Sequence, residues 1–192
     1  MTLSDLKVNF PSATEDTWHQ HSNGGGWVQN TASVANTAYV GVDAKVSGKA
    51  RISGEAMVYA SAVVSGKARV FGNARVFGDA QVSGNARVFG NAMVYGEARV
   101  YAKAVVSGNA MVSGNARVFD NARVFGNAVV FGEAMVYGKS RVSGKSRVSG
   151  EAMVSGKAMV SGNARVYGEA MVYANAVVSG SAWVAGYDVI SE

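Results

Sequence analysis

The sequence predicts an all-β protein, a single parallel β-solenoid of triangular cross-section, from three observations. Valine or isoleucine recurs every six residues from Val28 to Ile190, with no insertion or deletion. A small residue, alanine at almost every position from Ala32 to Ala182, stands two places before each of them, and in most repeats a glycine stands two places after. Taken three repeats at a time, the corner residues separate into acidic and basic columns. A fixed period of this kind marks stacked units, each too small to bury its own apolar face.

The unit Ala74-Arg75-Val76-Phe77-Gly78-Asp79 shows how each position works. Ala74 and Val76 are two apart and share one face of a strand, which points into the core, while Arg75 and Phe77 point to solvent. Gly78 and Asp79 turn the chain, because glycine adopts positive φ at little cost. Ser140 and Ser146 stand in for alanine twice, and Asp188 breaks the rule in the last repeat.

The residue three places after each valine fixes the number of repeats per coil. Taken eighteen apart, one column holds Asp43, Ser61, Asp79, Glu97, Asn115, Glu133, Glu151, Glu169 and Tyr187. The next holds Lys49, Lys67, Asn85, Lys103, Asn121, Lys139, Lys157 and Asn175. The third holds Glu55, Asn73, Asn91, Asn109, Asn127, Lys145 and Asn163. Six of the seven corner acids share the first column and five of the six corner lysines the second, whereas a twelve-residue spacing mixes the signs. Three hexapeptides per coil give about nine coils, and at ~4.8 Å per coil a rod roughly 43 Å long.

A large aliphatic residue followed four places later by a small one, as in Val76 and Ala80 or Val88 and Ala92, resembles the hexapeptide-repeat family of left-handed parallel β-helices across residues 28–190. The resemblance implies a left-handed coil. Many members of that family are acyltransferases that use a histidine between subunits of a trimer, with acyl-CoA along the coil. Here the only histidines, His19 and His21, precede the coils, and no loop interrupts the repeats. General-base chemistry needs a positioned group of suitable pKa. The chain is therefore read as no enzyme, with no catalytic residue and no cofactor, and a degenerate acyltransferase is an alternative. The leader His21-Ser22-Asn23-Gly24-Gly25-Gly26-Trp27-Val28 looks like those of hexapeptide-repeat proteins of bacteria and their phages. That likeness implies a cytoplasmic protein or, if phage-encoded, a virion component or an inhibitor of a host protein in the host cytoplasm.

Residues 1–26 are expected to cap the first coil, and residues 27–192 to form the β-helix. Leu6, Val8 and Phe10 alternate as in a strand, and Ser12-Ala13-Thr14-Glu15 after Pro11 has the spacing of a capping box, predicting a short helix to about Trp18. Residues 19–26 read as a polar, flexible turn. His19 and His21 lack a third ligand and the chain has no cysteine, so no metal site or disulfide is expected. Trp183, Tyr187 and Ile190 lie in the last coil with no helix after it, an open sheet edge that predicts end-to-end self-association into a homo-oligomer. No secretory signal and no apolar stretch near the ~20 residues of a membrane span is seen.

Two residues per repeat face solvent. On the first face, whose strands are centred on Val34, Ile52, Val70 and their successors, Arg51, Arg69, Arg87, Arg123 and Arg141 precede the core residue, and Phe71, Phe89 and Phe125 follow it. The corner lysines Lys49, Lys67, Lys103, Lys139 and Lys157 lead into that face. Together they form a basic strip on a chain of net charge +5. Stacked like charges destabilise one another, so the strip is a candidate anion-binding surface for a nucleic acid or nucleotide, arginine contacting phosphate and aromatic rings stacking on bases. The second face is apolar, with Met57, Tyr59, Phe77, Met93, Tyr95 and Phe131 as interface candidates, interrupted by Arg75, Arg147 and Arg165. The third carries Tyr101, Phe119, Met135, Tyr137, Met153, Met171 and Tyr173. Contiguous apolar surface marks contact. The expected function is a non-catalytic scaffold or binding rod that self-associates and presents a flat face to a macromolecule, a protein partner first, with binding of an anionic ligand as the alternative.

Overall fold

The computed structural model describes residues 1–192. The strands fall into three sheets of eleven, nine and nine, each strand of the coils hydrogen-bonded to the one three repeats away. Val76 lies between Val58 and Val94, and every register within the coils advances by the same eighteen residues. The three-sided coil expected from the corner columns is therefore the one observed. Most strands are two residues long, and only Arg69–Gly72 and Arg87–Gly90 reach four. Strands this short hold only because each is paired above and below and backed by a common core.

That core is one cluster of 48 buried residues, almost entirely the Val and Ala columns. Valine fills the middle of each side and alanine the space where two sides converge. Burying a valine side chain contributes roughly 1.5–3 kcal/mol, repeated at every level of the rod. Ser140 and Ser146 are fully buried in the alanine column. Their hydroxyls donate to the Tyr137 and Ser143 carbonyls at 2.7 Å, so each is satisfied within its own turn.

The turn two places after valine is left-handed, with glycine φ between 60° and 74°. At Gly48 a Cβ would also come within 2.9 Å of the Gly66 carbonyl oxygen one coil on. Ala60, Ala102, Asp120 and Ala174 hold the same turn at φ 54–59°, strain of about 1–2 kcal/mol each. Asp120 offsets part of it by accepting a hydrogen bond from the Gly138 N–H at 3.3 Å.

The N-terminal segment differs locally from its sequence reading. Residues Leu3–Asn9 form helix α1 rather than a strand. Thr2 and Asp5 make the capping box: the Thr2 hydroxyl accepts from the Asp5 N–H at 3.2 Å, and the Asp5 carboxylate accepts from the Thr2 N–H at 2.7 Å. Leu6 is buried and Val8 is 81% exposed, a helical rather than an alternating pattern. Pro11, which cannot donate a backbone hydrogen bond, lies just past its end. The second capping box, at Ser12–Glu15, starts no helix. Residues there are irregular or in turns, and Thr17 Oγ1 accepts from the Thr14 N–H at 3.0 Å. Trp18–Gln20 then form strand β1, antiparallel to β2 (Trp27–Gln29). Tertiary packing decides this, since Trp18 and Trp27 are buried with Leu6 and Ala13 in a small second core. Residues 19–26 are correspondingly less free than expected, and His21 is buried.

This segment covers two of the three upper sheet edges. β1 lies on β2, and Asn23 and Gly26 exchange backbone hydrogen bonds of 3.0 and 2.9 Å with Val40 at the edge of another sheet. β3 (Ser33–Val34) heads the remaining sheet with no strand above it. At the other end Val177–Val178, Trp183–Val184 and Val189–Ile190 are the outermost strands. Trp183, Tyr187 and Ile190 are 63%, 80% and 36% exposed there.

Candidate binding faces

The alternation of inward and outward residues places every predicted surface residue. On the first face Arg51, Arg69 and Arg87 stand in direct register, Val105 interrupts, and Arg123 and Arg141 resume. Phe71 and Phe89 stack beside them with centroids 4.7 Å apart and planes within 5°. The Arg87 guanidinium lies 5.8 Å from the Phe71 ring and 5.4 Å from that of Phe89, and Arg123 and Arg141 approach Phe125 at 5.8 and 5.4 Å. Each such contact contributes ~0.5–1 kcal/mol at an exposed site, which helps a column of like charges to stand.

The lysine corner runs alongside. The Lys49, Lys67, Lys139 and Lys157 N–H groups donate to carbonyls of the turn one coil on, at 2.6–2.7 Å, which stacks the corners at strand spacing. Lys103 donates to the Asp120 carbonyl at 2.8 Å in the same way. The chain has 18 lysines and arginines, yet its one salt bridge joins the Met1 amino group to Asp43 at 3.5 Å. The basic strip is therefore brought together as expected and stands without a carboxylate partner.

The third face carries the opposite charge on its other edge. Glu133, Glu151 and Glu169 are stacked through N–H bonds of 2.8 Å to the turn one coil on. With Met135, Met153, Met171 and Tyr187 they line a groove of about 500 Å³, at whose upper end lie Asn115 and Arg117. Glu169, by hydrogen bonding and by its charge, holds the Tyr187 phenol above its ordinary value, and the Glu151 charge adds to this. Tyr187 thus continues the acidic column as well as lying in the last coil. This groove was not singled out from the sequence, although the triplet Glu-Ala-Met at eighteen-residue spacing carries its signal. Tyr101, Phe119 and Tyr137 stack on the same face at 5.0 and 4.9 Å.

On the second face Tyr59, Phe77 and Tyr95 form one stack with successive centroids 4.9 Å apart. Met57 and Met93 flank Arg75 in register. All these interface candidates are half-buried, and the three stacked rings cover one another. Phe131 stands apart from the stack, below Ser113. The third corner is an amide ladder, Asn91 donating to Asn109 at 3.2 Å and Asn109 to Asn127 at 3.0 Å. Amides satisfy one another in such a column, as glutamates or lysines cannot.

The two histidines serve the cap. His19 Nδ1–H donates to Asn30 Oδ1 at 2.7 Å, and His21 Nε2–H to the Ala38 carbonyl at 3.1 Å, since a carbonyl oxygen can only accept. No three side chains able to hold a metal come together. No helix is long and apolar enough to cross a membrane.

The YdcK beta solenoid repeat family model matches residues 50–66, 68–84, 80–96, 116–132 and 164–180. No curated protein matches the chain. With its parallel three-sided coils, the chain is a β-helix repeat protein, similar in those stretches to the YdcK beta solenoid repeat family.

Proposed function

We propose that this chain is a non-catalytic rod that docks an acidic protein partner along its first face and associates with copies of itself. The observation that carries the reading is the five-arginine column beside the lysine corner, which has no carboxylate partner in the chain. Charges sorted into separate edges cannot neutralise one another at short range, and a flat, rigid basic face raises the rate of encounter with an acidic partner. Self-association draws on the same sorting. The glutamate column lies on one long edge of the third face and the lysine column on the other, at one common coil spacing, so the edge of one rod complements that of another. Sedimentation velocity tests this part: a larger species at low salt should revert to monomer at about 0.5 M salt, where screening is strong. A monomer under both conditions contradicts it.

A single-stranded nucleic acid is the second reading, favoured by the stacked Phe71 and Phe89 rings within the arginine column. Single-stranded DNA and an acidic protein are distinguished by titration. If DNA is the partner, its affinity falls steeply and linearly on a log–log plot with salt, and R69E/R87E/R123E abolishes it while the coil still unfolds cooperatively. If DNA does not bind and the same variant loses a captured protein, the first reading stands.

A further inference from the structure

The aromatic columns have missing rungs. On the second face the residue after each core valine runs Tyr59, Phe77, Tyr95, Ser113, Phe131, Ser149, Tyr167. Where three aromatic residues follow one another, their rings stack in steps of 4.9 Å. At Ser149 the ring is absent. Phe131 stands one coil above it and Tyr167 one coil below, each level tied to the next by backbone bonds of 3.0 and 2.9 Å. A planar ring placed at the Ser149 level would stand one 4.9 Å step from each wall, the spacing the protein's own rings keep.

The gap is a cavity of about 310 Å³, lined by Phe131, Arg147, Ser149, Arg165, Tyr167 and Trp183. Arg147 and Arg165 are direct neighbours in register. The Arg147 guanidinium lies over the Phe131 ring at 5.4 Å and that of Arg165 over the Trp183 ring at 5.1 Å, and both line the cavity, so a base that stacks on Phe131 displaces Arg147 from that ring toward the phosphates. Neither has a carboxylate partner.

Other missing rungs lack this flank. Ser113 lies beside Met111, Ser155 beside Met153, and Ser107 beside Val105. Among the serines that have an aromatic residue one coil above and one coil below, Ser149 alone has an arginine in its own coil and another in the next.

We propose that the Ser149 gap is a nucleotide-binding site, the base filling the missing rung between Phe131 and Tyr167 and the phosphates meeting Arg147 and Arg165. A flat heteroaromatic ring stacks favourably on such walls. Guanidinium groups are suited to bidentate contact with phosphate. The cavity is at the lower end of the roughly 300–1,000 Å³ range of small-ligand pockets, enough for a base with its phosphates outside. The site lies on the second face and does not depend on how the first face is used.

Equilibrium dialysis of ADP against the full chain tests it, with adenosine and pyrophosphate as separate probes. Saturable binding of one ADP per chain is expected, with Kd between about 10 μM and 1 mM. Adenosine and pyrophosphate each should bind at least about tenfold more weakly, since each keeps only half of the contacts. Ser149→Phe completes the aromatic column and should abolish binding while melting no lower than the parent. The exposed pair R147Q/R165Q should weaken ADP about tenfold or more through loss of charge-assisted hydrogen bonds. Any of three results overturns the site: no ADP bound at about 5 mM, well above the Kd of a weak site; ADP binding that survives Ser149→Phe; or pyrophosphate bound as tightly as ADP.

Discussion

The first and third faces of the rod share a backbone pitch, a core and a turn, and differ in the two outward residues of each repeat and in the corner residue that leads into them. On the first, arginines stack in register and lie against phenylalanine rings. On the third, glutamates stack along one edge with methionines beside them, and a groove opens between. One is positive along its column, and the other is negative along its groove. The difference teaches that in this chain the inward columns set the architecture and the outward columns set the charge and relief of the surface, with almost no exchange between the two. Even the buried serines at 140 and 146 leave the coil undisturbed, because they bond within their own turns.

Neighbouring substitutions on one strand should break that division most clearly. Val124→Asp places a carboxylate in the core, at a cost of several kcal/mol when unpaired, and should abolish cooperative thermal unfolding followed by circular dichroism. Arg123→Glu, one residue away but outward, should stay within about 0.5 kcal/mol of the parent. Turn substitutions should act on both faces alike. Gly150→Ala forces a left-handed alanine whose Cβ meets the Gly168 backbone at 2.9 Å, a loss of roughly 1–3 kcal/mol in urea unfolding. Ala102→Gly relieves the same strain at a site already holding alanine, and should gain up to about 1 kcal/mol.

Smaller effects should distinguish the faces by sign. E133Q/E151Q/E169Q removes stacked like charges and should stabilise the rod by a few tenths of a kcal/mol per pair, a gain that fades as salt screens the repulsion. R69Q/R87Q/R123Q also relieves repulsion but loses the ring contacts of about 0.5 kcal/mol each, so it should be neutral or slightly destabilising. The smallest effect concerns the cap. Thr2 holds Asp5 below its ordinary 3.8, chiefly through its backbone N–H and then its hydroxyl. A depressed carboxylate contributes stability above its unfolded value and loses it as pH falls through the folded one. α1 should therefore loosen only below about pH 3.8, and Asp5→Asn should remove that acid dependence from proteolysis of the N-terminal segment.

The coils were legible in the sequence because a six-residue period without slips leaves one way to bury valine and alanine together, and the charges at Lys49, Glu133 and their columns give the coil its three sides. The cap was legible only as a cap. Leu6, Val8 and Phe10 fit a strand pattern, and only the Thr2–Asp5 pair and the burial of Trp18 against Trp27 make the region what it is. Local pattern cannot show a contact between residues nine positions apart on two strands. The arginine strip was readable because register follows from period. The groove beside Met135 and the cavity at Ser149 are marked in the sequence only by the Glu-Ala-Met spacing and a missing ring, and their depth was not readable, since it depends on how far neighbouring side chains reach.

Photo-crosslinking from the position of Ser107 on the first face and from that of Ser155 on the third, in extracts of the cells that make the protein, tests the division of faces most directly. A discrete acidic partner should be labelled from Ser107, not from Ser155, and should vanish in R69E/R87E/R123E. The same labelling from both positions, or labelling from Ser107 that charge reversal leaves intact, would contradict the account.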